Sequence, residues 1–517
     1  MKAMDMTDLR VMQPSQATLN VNAIRDALAG AKFFWTLEFV PSVDKVLREE
    51  LNKIEILLAS ARQYPLIAGF SVSDRVHSDR DPDPVTAASQ LAMRSGKQPL
   101  VHWSGKGRDL ADLRRSIVRM GDMGLENMLI LTGDKLKEEA NPGERHRYLE
   151  SVPAVELVKQ VNPALLVAVA LNPFKYREED CMAQYLKLGK KVGAGADYVI
   201  TQIGFDDAKY REARDWIEQR NYQVPLVANL MLMLARSARY MRKHQLAGVT
   251  VTDSFLALLE VEEKLPDQGV ARSMRRLALQ IIGVRFMGYA GVQLTGIHTA
   301  RQLAHLQAQV EELEDLCQNE HTWRQAWQEC MSFPQGGLAQ TAPQHAWYLS
   351  QAALTHASAG QRLKYRMMEN THNFLFGNGP GAWALGKLMR PIKPRHSKAD
   401  HAAERFEYLV KGPLFGCETC GMCRLEATQY VCPETCPKGL ANGPCGGTTD
   451  NLCEFRDREC IHSVKYRIAK DAGVLHQLEM WLVPAVPKKI RHSSSYPPHF
   501  RGEGVKIRVV RPGVARE

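Results

Sequence analysis

Eight short apolar runs alternate with amphipathic stretches over the first three hundred or so residues. The runs span 33–40, 66–73, 99–103, 127–132, 165–171, 198–203, 225–230 and 291–297. Each is largely apolar and most are bounded by Gly, Pro, Asp or Asn, the pattern of a parallel strand covered on both faces. The intervening stretches have helical spacing. In 43–61, Val46, Leu47, Leu51, Ile54, Ile56 and Leu57 fall loosely on one side, and 110–123 behaves similarly. Eight strands separated mostly by helices in about 300 residues is the count and size of an α/β protein of the (β/α)8 TIM barrel class. A doubly wound open sheet competes, but no Gly-x-Gly-x-x-Gly turn follows the first strand.

Past residue 301 the pattern changes. Residues 302–405 turn to Gln, His, Ala and Trp with helical spacing at Leu303, Leu306, Val310 and Leu313, which predicts a helical connector with a break at Gly377 to Gly381. A cysteine-rich segment, 406–482, follows and ends in a short helix-like stretch. A basic tail containing Pro and Ser, 483–517, is expected to be extended or mobile.

With 517 residues, 45% of them hydrophobic and 24% charged, the chain is globular and long enough for several domains. Its net charge of +10 invites a nucleic-acid or anionic-membrane partner. The placement of the charge argues otherwise. Lys387 to Lys398 holds five basic residues and no acid, and Lys488 to Glu517 holds eight basic residues against two acids, so the rest of the chain is close to neutral. Nucleic acid is therefore not the expected partner. No run approaches the ~18 to 20 apolar residues of a membrane span. The first twenty residues carry Asp5 and Asp8 without the apolar core of a secretory signal, and a cytoplasmic location is expected.

Eight of the eleven cysteines lie between Cys417 and Cys460. Their order is Cys417, Cys420, Cys423, Cys432, Cys436, Cys445, Cys453 and Cys460, and in an intracellular chain such density favours metal ligation over disulfides. Three thiols at successive two-residue gaps can fold back onto one centre. The Cys-Pro pairs at 432–433 and 436–437 fit an iron–sulfur pattern, and Cys-x2-Cys also serves tetrahedral zinc. Four ligands per centre allows two centres, or one with spare thiols.

Chemistry in such a barrel sits at the C-terminal strand ends. The polar residues there are Glu38, Ser73, Asp74, His102, Thr132, Gly133, Asp134, Asn172, Gln202, Asn229, His298 and Arg301. A carboxylate set among Leu37, Phe39 and Val40 should be partly desolvated, which suits Glu38 to general-acid work or to a structural ion pair. Asp134 could face a ligand or cap a helix. His102 and Gln202 could equally be satisfied polar residues. Lys191 could meet a phosphate or end a solvated helix.

Leu37-Glu38-Phe39-Val40-Pro41, Leu131-Thr132-Gly133-Asp134, Gly193-Ala194-Gly195-Ala196-Asp197 and Ile200-Thr201-Gln202 resemble the methylenetetrahydrofolate reductase family over about residues 30 to 301. Cys417-Glu418-Thr419-Cys420-Gly421-Met422-Cys423 and Gly443-Pro444-Cys445-Gly446-Gly447 resemble the cysteine-rich C-terminal module that accompanies some of these reductases. The resemblance implies a flavin-binding barrel, with FAD or FMN, that reduces 5,10-methylenetetrahydrofolate to 5-methyltetrahydrofolate or runs in reverse. It implies that Glu38 is the acid that assists opening of the methylene bridge, and that Asp134 lies near flavin and folate. Gln202 is implied as a folate contact, and Ser73, His102, Thr132, Gly133 and Lys191 as flavin contacts; Arg301 is a further candidate on the substrate side. NADH or a protein would donate electrons, and an oligomer is expected. Two departures stand out: Thr132-Gly133-Asp134 where the family has Arg-Gly-Asp, and Ala228-Asn229-Leu230-Met231 where it has Gly-Ile-x-Pro. A folate-dependent methyltransferase and a non-catalytic docking module are the alternatives.

Overall fold

The structure is a computed structural model in which residues 21–136 and 148–513 are described. The leading segment with Asp5 and Asp8, and Arg516 and Glu517 of the tail, lie outside them. Strands β1 (Phe34–Phe39), β2 (Ile67–Val72), β3 (Leu100–Ser104), β4 (Asn127–Leu131), β5 (Leu166–Leu171), β6 (Tyr198–Thr201), β7 (Leu226–Met231) and β8 (Gly291–Thr295) close into a parallel barrel in chain order. β8 returns to β1, as the (β/α)8 expectation requires.

Residues paired across a ladder share a face. Thr36 pairs with Gln293, Glu38 with Ser71, His102 with Leu129, Ile200 with Val227 and Asn229 with Gln293. Those residues line the lumen. Its deeper layers are apolar: Phe34, Leu100, Leu129, Leu166, Ala168, Tyr198, Ile200 and Val227 form one cluster, joined by Ile24 of the helix Ala23–Ala29. The outward set, including Trp35, Leu37, Val101, Trp103, Val167 and Val169, belongs to the larger core beneath the surrounding helices. Period-two alternation thus fills the barrel from below and leaves a polar layer at its C-terminal mouth.

Two expectations shift. The helix expected over 43–61 is two helices, Leu47–Lys53 and Glu55–Gln63, because Ile54 leaves helical geometry at φ −101° and ψ 9°. That break lets Leu51, Leu57 and Leu58 all turn inward while Ile56 stays exposed. The connector holds helices Ala300–Leu316, Glu320–Cys330, Ala359–Phe376, Pro380–Met389 and Lys398–Phe415, with the expected break after Phe376. Residues between Cys330 and Ala359 run irregularly across the barrel, where Lys209 donates to the Trp347 carbonyl and Tyr348 to Asp206.

The tail differs more. Its described part is packed: Ser494 and Ser495 donate to Glu407, Arg491 pairs with Glu434, and Arg508–Val509 pairs antiparallel with Trp481–Leu482. Arg508 reaches Glu156 of the barrel at 2.8 Å. Among the described residues no helix is long and apolar enough to cross a membrane.

Close helix packing gives a direct check. A Cβ on Gly283, in the helix Val270–Phe286, would lie 2.2 Å from the Trp323 ring, which is anchored by its Nε1 bond to the Leu279 carbonyl. Gly283→Ala is expected to cost roughly 1–3 kcal/mol by overpacking, measured as a lowered denaturation midpoint; an unaltered midpoint would show that the two helices part freely.

Candidate functional site

Glu38 occupies the polar layer, one ladder step above Thr36. Its Oε1 accepts from the Ser73 hydroxyl at 2.6 Å and its Oε2 from the Thr295 hydroxyl at 2.6 Å. Thr295 also approaches the Asn229 side-chain oxygen at 3.2 Å, and His102 lies 2.6 Å from Ser71 and 3.5 Å from Ser73. One hydrogen-bonded chain therefore runs from β3 through β2, β1 and β8 to β7. Burial pushes the His102 imidazole below its ordinary range, against the pull of Glu38 and Asp74 and a bond with Gln293. Beneath this chain, Thr36 Oγ1 is buried with no hydrogen-bond partner. A polar layer with unused acceptor capacity fits a planar heteroaromatic group bearing its own donors.

Beside it, Asp74 is fully buried and accepts from Ser104 N at 2.7 Å and from Arg108 at 2.6 Å. Arg75 and Lys106 add two more cations at this edge of the mouth. Gly133 follows β4 at φ +87°, and a Cβ there would meet Ser104 Oγ at 2.1 Å, so only glycine is tolerated. Thr132 is buried and accepts weakly from Ser151 N. Lys135 and Leu136, which follow Asp134, have no regular secondary structure. Gln202 bridges the end of β6 to the Ala247 carbonyl, and Asn172 donates to the carbonyls of Gly248 and Gly446. Lys191 is buried rather than solvated; it donates to the Ala170 carbonyl, and burial pushes it down to about 7. Arg301 is exposed in the first turn of the helix after β8, apart from the Glu38 chain.

Among the described residues no disulfide joins any of the eleven cysteines. The clustered eight divide in two. Cys417, Cys420, Cys423 and Cys432 line one small cavity together with Arg424 and Glu434. Cys436, Cys445, Cys453 and Cys460 are close enough to influence one another's ionisation. Burial pushes Cys417, Cys432 and Cys460 up to about 12 and Cys445 up to about 11. Among the described residues no three His, Cys, Asp or Glu side chains converge tightly on one point. The donor sets still fit thiolate-bound centres in kind and number, four soft ligands to each.

Sequence reasoning missed Ser71, Thr295, Gln293 and Arg108. Strand alternation marks the first three as lumen-facing once the register is known, whereas Arg108 has no sequence signal. It also missed that Gly446 reaches the barrel mouth.

A family model described as "Methylenetetrahydrofolate reductase" matches residues 23–283, just over half of the chain. The chain belongs to the methylenetetrahydrofolate reductase family. A second model, "Methylene-tetrahydrofolate reductase C terminal", matches residues 396–487 and so takes in all eight clustered cysteines. Methylenetetrahydrofolate reductase 1 of Schizosaccharomyces pombe is 27% identical over 164 residues, 30% of this chain and 26% of that protein. The match thus spans about a quarter of that relative's length. An uncharacterized protein from Clostridium thermocellum that binds two copies of 5-methyl-5,6,7,8-tetrahydrofolic acid is 14% identical with a TM-score of 0.42, over 57% of this chain and 99% of that one. That likeness is too remote to bear on the fold or the site.

Glu150 joins the two halves of the family pattern. Its buried carboxylate accepts from Ala441 N, Asn442 N and Asn442 Nδ2 and pairs with Lys187 at 3.1 Å. Burial opposes its charge, but Lys187 and the bonds from Asn442 and Ala441 hold it below the ordinary glutamate range. The stability it contributes is therefore complete above the ordinary glutamate range and is lost as pH falls through the lower folded value. Glu150→Gln is expected to cost about 3 kcal/mol at neutral pH by leaving Lys187 buried without its partner, and to flatten the acid limb of a stability–pH curve. A variant with the same acid limb would show that Glu150 does not govern the junction.

Proposed function

We propose that this chain is a flavin-dependent oxidoreductase that reduces 5,10-methylenetetrahydrofolate to 5-methyltetrahydrofolate, or runs the reaction in reverse, with its cysteine sets as metal–thiolate centres for electron entry or structure. The observation that carries the reading is Glu38, a half-buried carboxyl at the barrel mouth with both oxygens held by hydroxyls. Family membership supports the folate chemistry.

On this reading Glu38 gives a proton to the folate nitrogen that leaves the methylene bridge, and Ser73 and Thr295 keep its oxygens aimed into the lumen. Opening the bridge leaves an electrophilic carbon on the other folate nitrogen. Asp134 and Gln202 orient the pterin from the ends of β4 and β6, and His102, Ser73, Thr132 and Gly133 are the residues that would hold a flavin. A bound FAD or FMN would supply the hydride. Cys417, Cys420, Cys423 and Cys432 would hold one iron–sulfur or zinc centre and Cys436, Cys445, Cys453 and Cys460 the other. NADH or a protein donor would feed electrons to the flavin.

Glu38→Gln is expected to lower folate turnover by roughly 100-fold or more, the scale of a lost general acid. Flavin content, followed by absorbance near about 450 nm, should not change. Wild-type turnover in the variant would remove Glu38 from the acid's role. Anaerobically purified protein should carry flavin together with iron or zinc. A colourless preparation lacking flavin would defeat the reductase reading, and methyl transfer without any reductant would replace it with a transferase.

A further inference from the structure

The loop leaving β4 is held from outside the barrel. Lys438, two residues beyond Cys436, donates from Nζ to the Gly133 carbonyl at 2.8 Å and pairs with Glu454 at 2.5 Å. Glu454 uses its other oxygen to accept from Lys135 N at 2.6 Å. One partner of the ion pair thus grips the carbonyl before Asp134, and the other grips the amide after it. Both side chains are nearly buried, at 2% and 9% exposure. Aromatic contacts close the same clamp: the Lys438 ammonium lies 5.1 Å from the Tyr148 ring centre, that of Lys135 lies 5.2 Å from Phe455, and Tyr148 accepts from Leu136 N.

Residues 132–136 have no regular secondary structure, and Gly133 has no side chain and no room for one. Glu454 follows Cys453 directly and lies within the second cysteine set. It lies 3.3 Å from Cys445 Sγ, and a Cβ on Gly447 would fall 2.5 Å from its carboxylate. A buried ion pair is weak evidence of added stability. Here the pair's remaining hydrogen-bonding capacity is directed to the two peptide groups that flank one candidate site residue.

We propose that Lys438, oriented by Glu454, is a positioning residue for Asp134, so that the second cysteine set completes the barrel's site rather than merely lying beside it. The proposal rests on the assignment of Asp134 to the folate and flavin site made above. It makes the fused module a working part of the site, since its misfolding would release the β4 loop.

Lys438→Met, Lys438→Arg and Glu454→Gln in the full-length protein test it. In Lys438→Met, amide exchange across 131–136 should accelerate by about 10-fold or more. Its kcat should fall by roughly 10- to 100-fold, the cost of a small misplacement, with KM for the folate within about twofold. Lys438→Arg, which keeps the charge and the donors, should restore most of both, and Glu454→Gln should shift both in the same direction as Lys438→Met. Wild-type exchange and kcat in Lys438→Met would overturn the proposal. So would a loss that Lys438→Arg fails to rescue and that spreads over the whole segment 436–460. If wild-type protein turns over no folate, the reaction assignment fails by itself, and the exchange comparison still decides whether Lys438 holds the loop.

Discussion

An irregular turn buried against a barrel must find partners for every backbone group, and the turn 441–448 meets that demand with buried lysines. Lys187 donates to the carbonyls of Gly443 and Pro444, Lys175 to those of Gly446 and Thr448, and Lys465 to that of Ala441, while Gln184 takes the Cys445 carbonyl. Glu150 answers the amides of Ala441 and Asn442. Without these groups the Gly-Pro-Cys-Gly-Gly turn could not leave water. The cost is visible in the ionisation: burial pushes Lys465 down to about 8 and, in the neighbouring helix, Asp180 up to about 6.

Docking this turn determines what the barrel mouth looks like. Gly446 meets Asn172 at the end of β5, and Gly248 comes so close to the Gly446 carbonyl that a Cβ would lie 2.8 Å from it. Lys438 and Glu454 hold the loop after β4. The ends of β4 and β5 are therefore shaped by the cysteine-rich segment, whereas Glu38, Ser73, His102 and Thr295 form a second, purely barrel-built side. The Glu38 chain and the module-held strand ends both lie at the C-terminal mouth of the barrel.

Much of this was legible in the residue pattern. The eight strands lie within two residues of the apolar runs, because a strand covered on both faces must be apolar throughout and a turn must end it. Glu38 was legible as a polar interruption in such a run. The buried lysines were not. Lys175, Lys187, Lys190 and Lys465 sit in stretches that read as solvated helix and loop, and a lysine alone in a sequence is nearly always a surface residue. The tail misled for the same reason: its basic residues imply mobility until the carboxylates of Glu434, Glu407 and Glu156 are found beneath it.

The sequence by itself determined the barrel, the position of its polar layer along each strand and the concentration of thiols in one module, since each follows from local period and spacing. Only the tertiary structure decided how the eight cysteines divide into two sets, which carboxylate ends up between two hydroxyls, and that a lysine some three hundred residues beyond Gly133 holds its carbonyl. Those facts depend on register and on contacts between distant segments, and no local pattern encodes which buried donor will meet which unsatisfied carbonyl.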